Sequence, residues 1–334
     1  MELNKNIGIP DHEKSGLVKF IFSWEFILLL IFFIIQFVNA SLSPNYLSLG
    51  SINTALMNFL DKCFMIFPMT MILLLGEIDI SVGSNIALSA VSLGLTFQAT
   101  GSMPLAILVC LLVATTCGAV NGLIINFFPE LPTMIITLST LTFYRGLAYI
   151  LLENKSVSGF PMWYQSLGWG AIGPVPIILI AFILIAILFS CLLYKSSFGR
   201  EIYAMGNNKR ASFFSGIRTK KNILFIYMLM GLMAGVTALF LSSRMSSVRA
   251  DVATGYELEV IAMCVLGGVS TSGGKGKMLG PIIAALVIGF LRYGLGIINL
   301  RAQTITMIIG VLLIVSVLIT RVDLNKFKNK FFGK

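Results

Sequence analysis

The chain has 334 residues, of which 57% are hydrophobic and 11% charged, and its mean hydropathy is +0.93. A soluble domain carries roughly 45–50% apolar and about 25% charged residues, so this composition excludes an ordinary globular protein and requires membrane spans of about 20 residues each. The formal charge of +10 does not signal a nucleic-acid partner, because the basic residues lie in short tracts between apolar runs and do not mark out a basic face.

Residues 1–19 read as a polar cytoplasmic segment holding Lys5, Lys14, Lys19 and the sole histidine, His12. No small-residue cleavage site follows the first apolar run, so no cleaved signal peptide is expected. Ten candidate spans follow, near 20–38, 62–76, 84–100, 104–126, 133–152, 176–194, 223–242, 258–267, 279–297 and 303–320. The second and eighth are short and are expected to be broken or re-entrant helices, which survive at membrane depth only where protein or a water-filled cavity satisfies their backbone. Asn53 to Asp61 can extend the second. Gly118-x-x-x-Gly122 and Gly231-x-x-x-Gly235 place small residues on one helix face for close packing, although glycine is common in membrane helices in any case. Cys63, Cys110, Cys117, Cys191 and Cys264 lie in apolar stretches without a CxxC pair and read as small buried hydrophobes. The expected fold class is all-α: a polytopic membrane helix bundle of about ten spans over residues 20–320, with a basic tail over 321–334.

Sorting the 24 Lys and Arg by side gives an orientation. Seventeen share the side of the N-terminus: three in the first segment, seven in the loop 195–222, Lys275 and Lys277, and five from Arg321 onward. Four lie on the other side, and Lys62, Arg145 and Arg292 within spans. Both termini are therefore expected in the cytoplasm.

Three segments interrupt the apolar pattern. The stretch Gly76 to Ser84 contains Glu77, Asp79, Ser81 and Gly83. Carboxylates at membrane depth are costly and read as functional, and Lys62, Arg145 and Arg292 are possible partners for them. Asp79 or Ser81 can alternatively cap the helix beginning near Ser84. The long loop 195–222 contains Gly199, Arg200, Tyr203 and Gly206, then Asn208 as an N-cap, a short helix over Lys209 to Ser215, and Gly216 as its stop. Phe213 and Phe214 among basic residues such as Arg210 suit either a protein groove or anionic headgroups. The third segment, Gly267 to Lys277, superficially resembles a phosphate loop, but Val269 and Thr271 stand where its first glycine is needed and Met278 where Ser or Thr is needed. It reads as a flexible glycine turn between two inserted helices, and no nucleotide site is expected.

Taken together these segments resemble the permease family of sugar-type ABC importers, the group that includes the ribose, arabinose, xylose and galactose permeases. The resemblance rests on G-x-I-D-I-S-V-G-S at 76–84, G-R-x-x-Y-A-x-G-x-N at 199–208 running on to Ser215-Gly216-Ile217, Gly255-Tyr256-Glu257-Leu258, and V-L-G-G at 265–268 with Gly267 and Gly268. Gly273-Gly274-Lys275-Gly276, Gly280 and Gly289 continue it, so that it covers roughly residues 20–320. Two positions depart from the family pattern. Glu77 stands in place of the usual glycine before Ile78, and Lys209-Arg210 replaces the frequent acidic residue after the Gly-x-Asn element. Glu77, with Ser23-Trp24-Glu25, Met103 to Leu108 and Gly159 to Met162, is most similar to the branch importing rhamnose or autoinducer-2.

The resemblance implies a multi-pass protein of a prokaryotic cell membrane that binds no cofactor or metal itself. Its partners would be a cytoplasmic ABC ATPase, a second permease, identical or homologous, and an extracytoplasmic sugar-binding protein. It assigns Gly199 to Ile217 to the ATPase contact, and Glu77, Asp79, Ser81, Gly83, Tyr256, Glu257, Gly267 and Gly268 to translocation or structure. An ion-coupled secondary transporter with a midplane polar site is the alternative. A membrane enzyme is disfavoured, because a lone histidine and few intramembrane carboxylates leave little for acid–base or metal chemistry.

Overall fold

The computed structural model describes residues 24–153 and 155–321. His12, the lysines before Trp24 and the basic residues after Arg321 lie outside the described residues, and with them the expected placement of both termini.

α1 (Trp24–Leu42) is an apolar helix whose outer face exposes Phe33 and Phe37. α2 (Leu49–Cys63) begins at Ser48, whose hydroxyl accepts the Ser51 N–H at 3.2 Å. It runs through a break at Phe64 and Met65 into α3 (Ile66–Leu74). The second candidate span therefore starts at Leu49, four residues before the extension over Asn53 to Asp61 that the sequence allowed, and the two helices form one bent candidate span of 26 residues, 94% of whose apolar window is buried. Its polar first half, with Ser51, Asn53, Asn58 and Asp61, dilutes the apolar run that a hydropathy reading follows; Asp61 is fully buried, whereas Asn58 is exposed.

α4 (Val82–Thr100), α5 (Met103–Phe127) and α6 (Thr133–Leu152) follow the expected spans closely. A short helix, α7 (Met162–Trp169), and a two-residue hairpin pairing Ala171–Ile172 with Val175–Pro176 lead into α8 (Ile177–Tyr194). The loop 195–222 is largely helical: α9 (Ser197–Asn207) and α10 (Lys209–Phe214) precede the 27-residue α11 (Thr219–Met245). Val157–Ser158 pairs antiparallel with Ser247–Val248. α12 (Tyr256–Leu266) has 11 residues, about 16 Å of helix, which is too short for a hydrocarbon layer of about 30 Å; it is the short eighth segment of the sequence. α13 (Leu279–Ile297) and α14 (Ala302–Arg321) complete the bundle. Eight helices among the described residues are long and apolar enough to cross a membrane, counting α2 and α3 as one.

The two small-residue motifs pack against each other at the centre. A Cβ on Gly118 would collide with the Tyr227 carbonyl and stand 2.9 Å from the Gly231 nitrogen, and one on Gly231 would collide with the Ala114 carbonyl. α5 and α11 therefore touch backbone to backbone, the contact that stabilises helix pairs where apolar bulk gains nothing over lipid. Four of the cysteines are buried as expected, whereas Cys191 lies on the exposed side of α8.

Candidate coupling junction and charged cleft

The three polar segments, far apart in the chain, meet at one end of the bundle. α3 ends at Leu74, and Gly76 turns the chain with φ 76. The Leu74 carbonyl accepts the Gly274 N–H at 2.8 Å, and Gly206, in the last turn of α9, lies so close that a Cβ there would collide with the same carbonyl and stand 2.6 Å from the Gly274 nitrogen. The Tyr203 hydroxyl donates to the Gly276 carbonyl at 2.8 Å; burial pushes that hydroxyl up to about 12, so it remains a donor at neutral pH. The glycine turn is thus pinned from two sides and is not a free hinge. Lys277 pairs with Glu25 at 2.8 Å, which raises the lysine's pKa, and Trp24 donates its indole N–H to the Leu266 carbonyl at 2.7 Å while its ring covers Gly268. Gly267 packs against the Gly280–Pro281 backbone.

Glu77 and Asp79 take different partners. The Lys209 Nζ lies 2.9 Å from Glu77 Oε1, and the Tyr227 hydroxyl donates to Oε2 at 3.4 Å. Lys62, Arg145 and Arg292, the cations expected near these carboxylates, are engaged elsewhere. Asp79 is 1% exposed; its Oδ1 accepts the Ser81 N–H at 2.8 Å and the Ser81 hydroxyl at 2.7 Å. The Asn121 side chain donates to Ser81 Oγ at 2.7 Å, and Tyr144 donates to Asn121 Oδ1 at 3.1 Å. Ser81 occupies the N-cap position of α4 without a capping side-chain bond. Its hydroxyl instead links Asp79 to α5 and α6, so the expected cap is a hydrogen-bonded chain holding the broken helix against its neighbours.

The 199–217 segment matches its sequence reading in the second half and exceeds it in the first. Asn208 Oδ1 accepts the Ala211 N–H at 2.9 Å, and Gly216 ends α10 with φ 85. Ser196 caps α9 by accepting the Gly199 N–H at 3.1 Å, and Ile202 and Met205 bury its inner face. Arg200 is exposed and donates to Ser197 Oγ at 2.8 Å. Phe213 and Phe214 are 62% and 85% exposed, and Arg210 stands beside them. A cleft of about 550 Å³ lies next to them, lined in part by Phe198, Glu201, Gly216 and Arg218.

At the other end of the bundle lies a charged network that sequence reading missed. Asp61, fully buried, pairs with Arg244 at 2.7 Å. Glu259 pairs with Lys62 at 2.7 Å and with Arg292 at 2.8 Å, and Lys62 Nζ lies 4.6 Å from the Tyr256 ring centroid. Glu257 accepts the Gly255 N–H at 3.2 Å and lies over Gly83, whose missing Cβ makes room for the carboxylate. The signal available in the sequence was the rarity of charge in spans, which marked Lys62, Arg145 and Arg292 but could not give their partners.

Residues 55–317 match a permease family described as "Branched-chain amino acid transport system / permease component". The chain belongs to this permease family. It is also similar to the autoinducer 2 import system permease protein LsrD of Escherichia coli K12, of Shigella flexneri and of Escherichia coli O157:H7, being 33% identical to each over 314 residues, 91% of this chain and 94% of each relative. No solved structure matches it significantly. The chain is therefore a multi-pass membrane permease of the sugar-type ABC importer class.

Proposed function

We propose that this permease imports a monosaccharide-type solute, such as rhamnose, autoinducer-2 or a pentose, delivered by an extracytoplasmic binding protein. A second permease, identical or homologous, completes the pathway, and a separate cytoplasmic ATPase docks on residues 199–217. The solute class is supported by the similarity to LsrD, whose name states autoinducer 2 import. The observation that carries the docking role is the exposed pair Phe213 and Phe214 on a helix whose preceding element, α9, is fixed to the C-terminal end of α3 and the glycine turn. Aromatics so presented anchor a partner groove, and a rigid attachment behind them carries force to the broken helices. Both termini and this segment then share the cytoplasmic side.

Replacing Arg210, Phe213 and Phe214 together with Ala removes the anchor without touching the junction. Solute-stimulated ATP hydrolysis and uptake by the reconstituted importer should both fall; unchanged values would overturn the docking role. Uptake by the chain alone under an ion gradient, without ATPase or binding protein, would instead establish the secondary-transporter reading.

A further inference from the structure

We propose that the cleft lined by Arg244, Arg249, Asp251 and Tyr256, at the end of the bundle opposite the 199–217 segment, is a binding site within the permease for a neutral, monosaccharide-sized polyol. The inference rests on the reading of the chain as a sugar-type importer and adds a solute contact made by the permease itself.

The cleft has a volume of about 350 Å³, within the range of about 300–1,000 Å³ typical of small-molecule sites. α11 places it: Thr219 follows the docking segment and Arg244 lies in the last turn, so the 27 residues between the helix ends separate the two by about 40 Å. Its floor is a built loop. The Arg145 guanidinium reaches from α6 to donate to the Ala250 and Val252 carbonyls at 2.7 and 2.8 Å. Val252 and Ala253 are buried, and Ala253 holds φ 56, a backbone conformation that a side chain rarely adopts. Such backbone persists where the surroundings impose it, often at ligand clamps.

The lining defines the ligand chemistry. Arg249 and Asp251 form a two-pronged pair at 2.9 and 2.7 Å. Arg244 uses one terminal nitrogen on Asn58 Oδ1 at 3.0 Å and the other on Asp61 Oδ2 at 2.7 Å, while its buried Nε has no hydrogen-bond partner among the described residues. Each cation has its anion, so the cleft holds no excess charge to favour an ionised ligand. Alternating donors and acceptors beside the Tyr256 ring suit hydroxyl groups, which donate and accept at once, over a ring with apolar faces. The Arg244–Asp61 pair beneath the cleft is buried, and buried charge in a membrane bundle is expensive and characteristically marks a solute path.

The test uses Met245, which lines the cleft and is 45% exposed. Met245→Cys is introduced together with Cys191→Ser, which removes the exposed native thiol. The complete membrane importer in lipid nanodiscs, with no binding protein added, is alkylated with a membrane-impermeant maleimide. L-rhamnose or D-ribose should slow alkylation by the factor 1 + [L]/Kd, about tenfold at ten times Kd, and glucose 6-phosphate should not. Adding Arg249→Gln and Asp251→Asn should abolish protection and leave the unprotected rate intact. No protection by either sugar at about 100 mM, a hundred times a millimolar Kd, overturns the site, and equal protection by glucose 6-phosphate overturns the neutral-ligand assignment. Binding-protein-dependent uptake of the same radiolabelled sugars is measured in parallel: uptake without protection sinks the site alone, whereas absence of uptake counts against the importer reading for those sugars.

Discussion

Glu77 Oε1 and Lys209 Nζ stand 2.9 Å apart across 132 residues of sequence, joining the connection between α3 and α4 to the start of α10. A carboxylate just beyond the C-terminal end of α3, with its side chain 9% exposed, is met by a half-exposed lysine at the start of α10. The helix that exposes Phe213 and Phe214 is thereby tied to the end of α3 by charge, as α9 is by backbone contact.

Reversal of this pair gives a direct test. Lys209→Glu sets two carboxylates against each other and should cost about 1–2 kcal/mol, between the values for exposed and buried pairs, with a larger loss of solute-stimulated ATP hydrolysis than of basal hydrolysis. Glu77→Lys combined with Lys209→Glu should recover much of both in the same melting and ATPase assays. A double variant no better than the worse single one would show that the two residues act independently.

Gly206→Ala places a Cβ against the Leu74 carbonyl and the Gly274 nitrogen, both backbone atoms that no side-chain rotation can clear. Overpacking of this kind costs about 1–3 kcal/mol. The expected result is a lower melting temperature of the detergent-solubilised permease, together with uncoupled ATPase, because the contact joins all three polar segments. Gly146→Ala, where nothing lies within 4 Å, is the matched control and should melt as the parent does.

These relations show how far the sequence could be read. The polar interruptions at 76–84, 199–217 and 267–277 were conspicuous because charge and glycine clusters are rare against an apolar background, and the local capping at Asn208 and Gly216 followed from residue type. Their convergence was not legible, since contacts such as Gly274 to Leu74 span most of the chain and leave no periodic trace. Hydropathy placed the second span near residue 62 and offered 53–61 only as its extension, because Asn53, Asn58 and Asp61 dilute the apolar run of α2. Residues 197–207 read as part of the long loop between two apolar spans, while the Ser196 cap and the inward Ile202 and Met205 support a helix. The charged cleft was half visible: Lys62 and Arg292 stood out, yet nothing local indicated that Glu259 holds both.

Asp79 separates charge from hydrogen bonding. Its Oδ1 accepts from the Ser81 N–H and hydroxyl, a role that an amide oxygen also fills. Asp79→Asn should therefore retain most uptake, while Asp79→Ala leaves buried donors unmatched at about 1–3 kcal/mol and should abolish transport or assembly. Full uptake by the alanine variant would remove Asp79 from the structural chain through Ser81, Asn121 and Tyr144.

Glu259 is the hinge of the charged network, and its two partners differ in burial. The Lys62 side chain is 4% exposed and that of Arg292 33% exposed. Removing one partner of a buried pair leaves an uncompensated charge and costs about 3–5 kcal/mol, whereas an exposed pair contributes about 0–1 kcal/mol. Glu259→Gln should thus destabilise the permease strongly by stranding Lys62, against which the Tyr256 ring 4.6 Å away offers only partial relief. Arg292→Gln should cost much less, because Lys62 still neutralises Glu259. Adding Lys62→Met to Glu259→Gln should restore part of the lost stability, since removing both charges together also removes the stranded ammonium. Thermal melts of the parent and the three variants in one detergent order these costs, and equal losses for Glu259→Gln and Arg292→Gln would show that the buried lysine is not what Glu259 is held for.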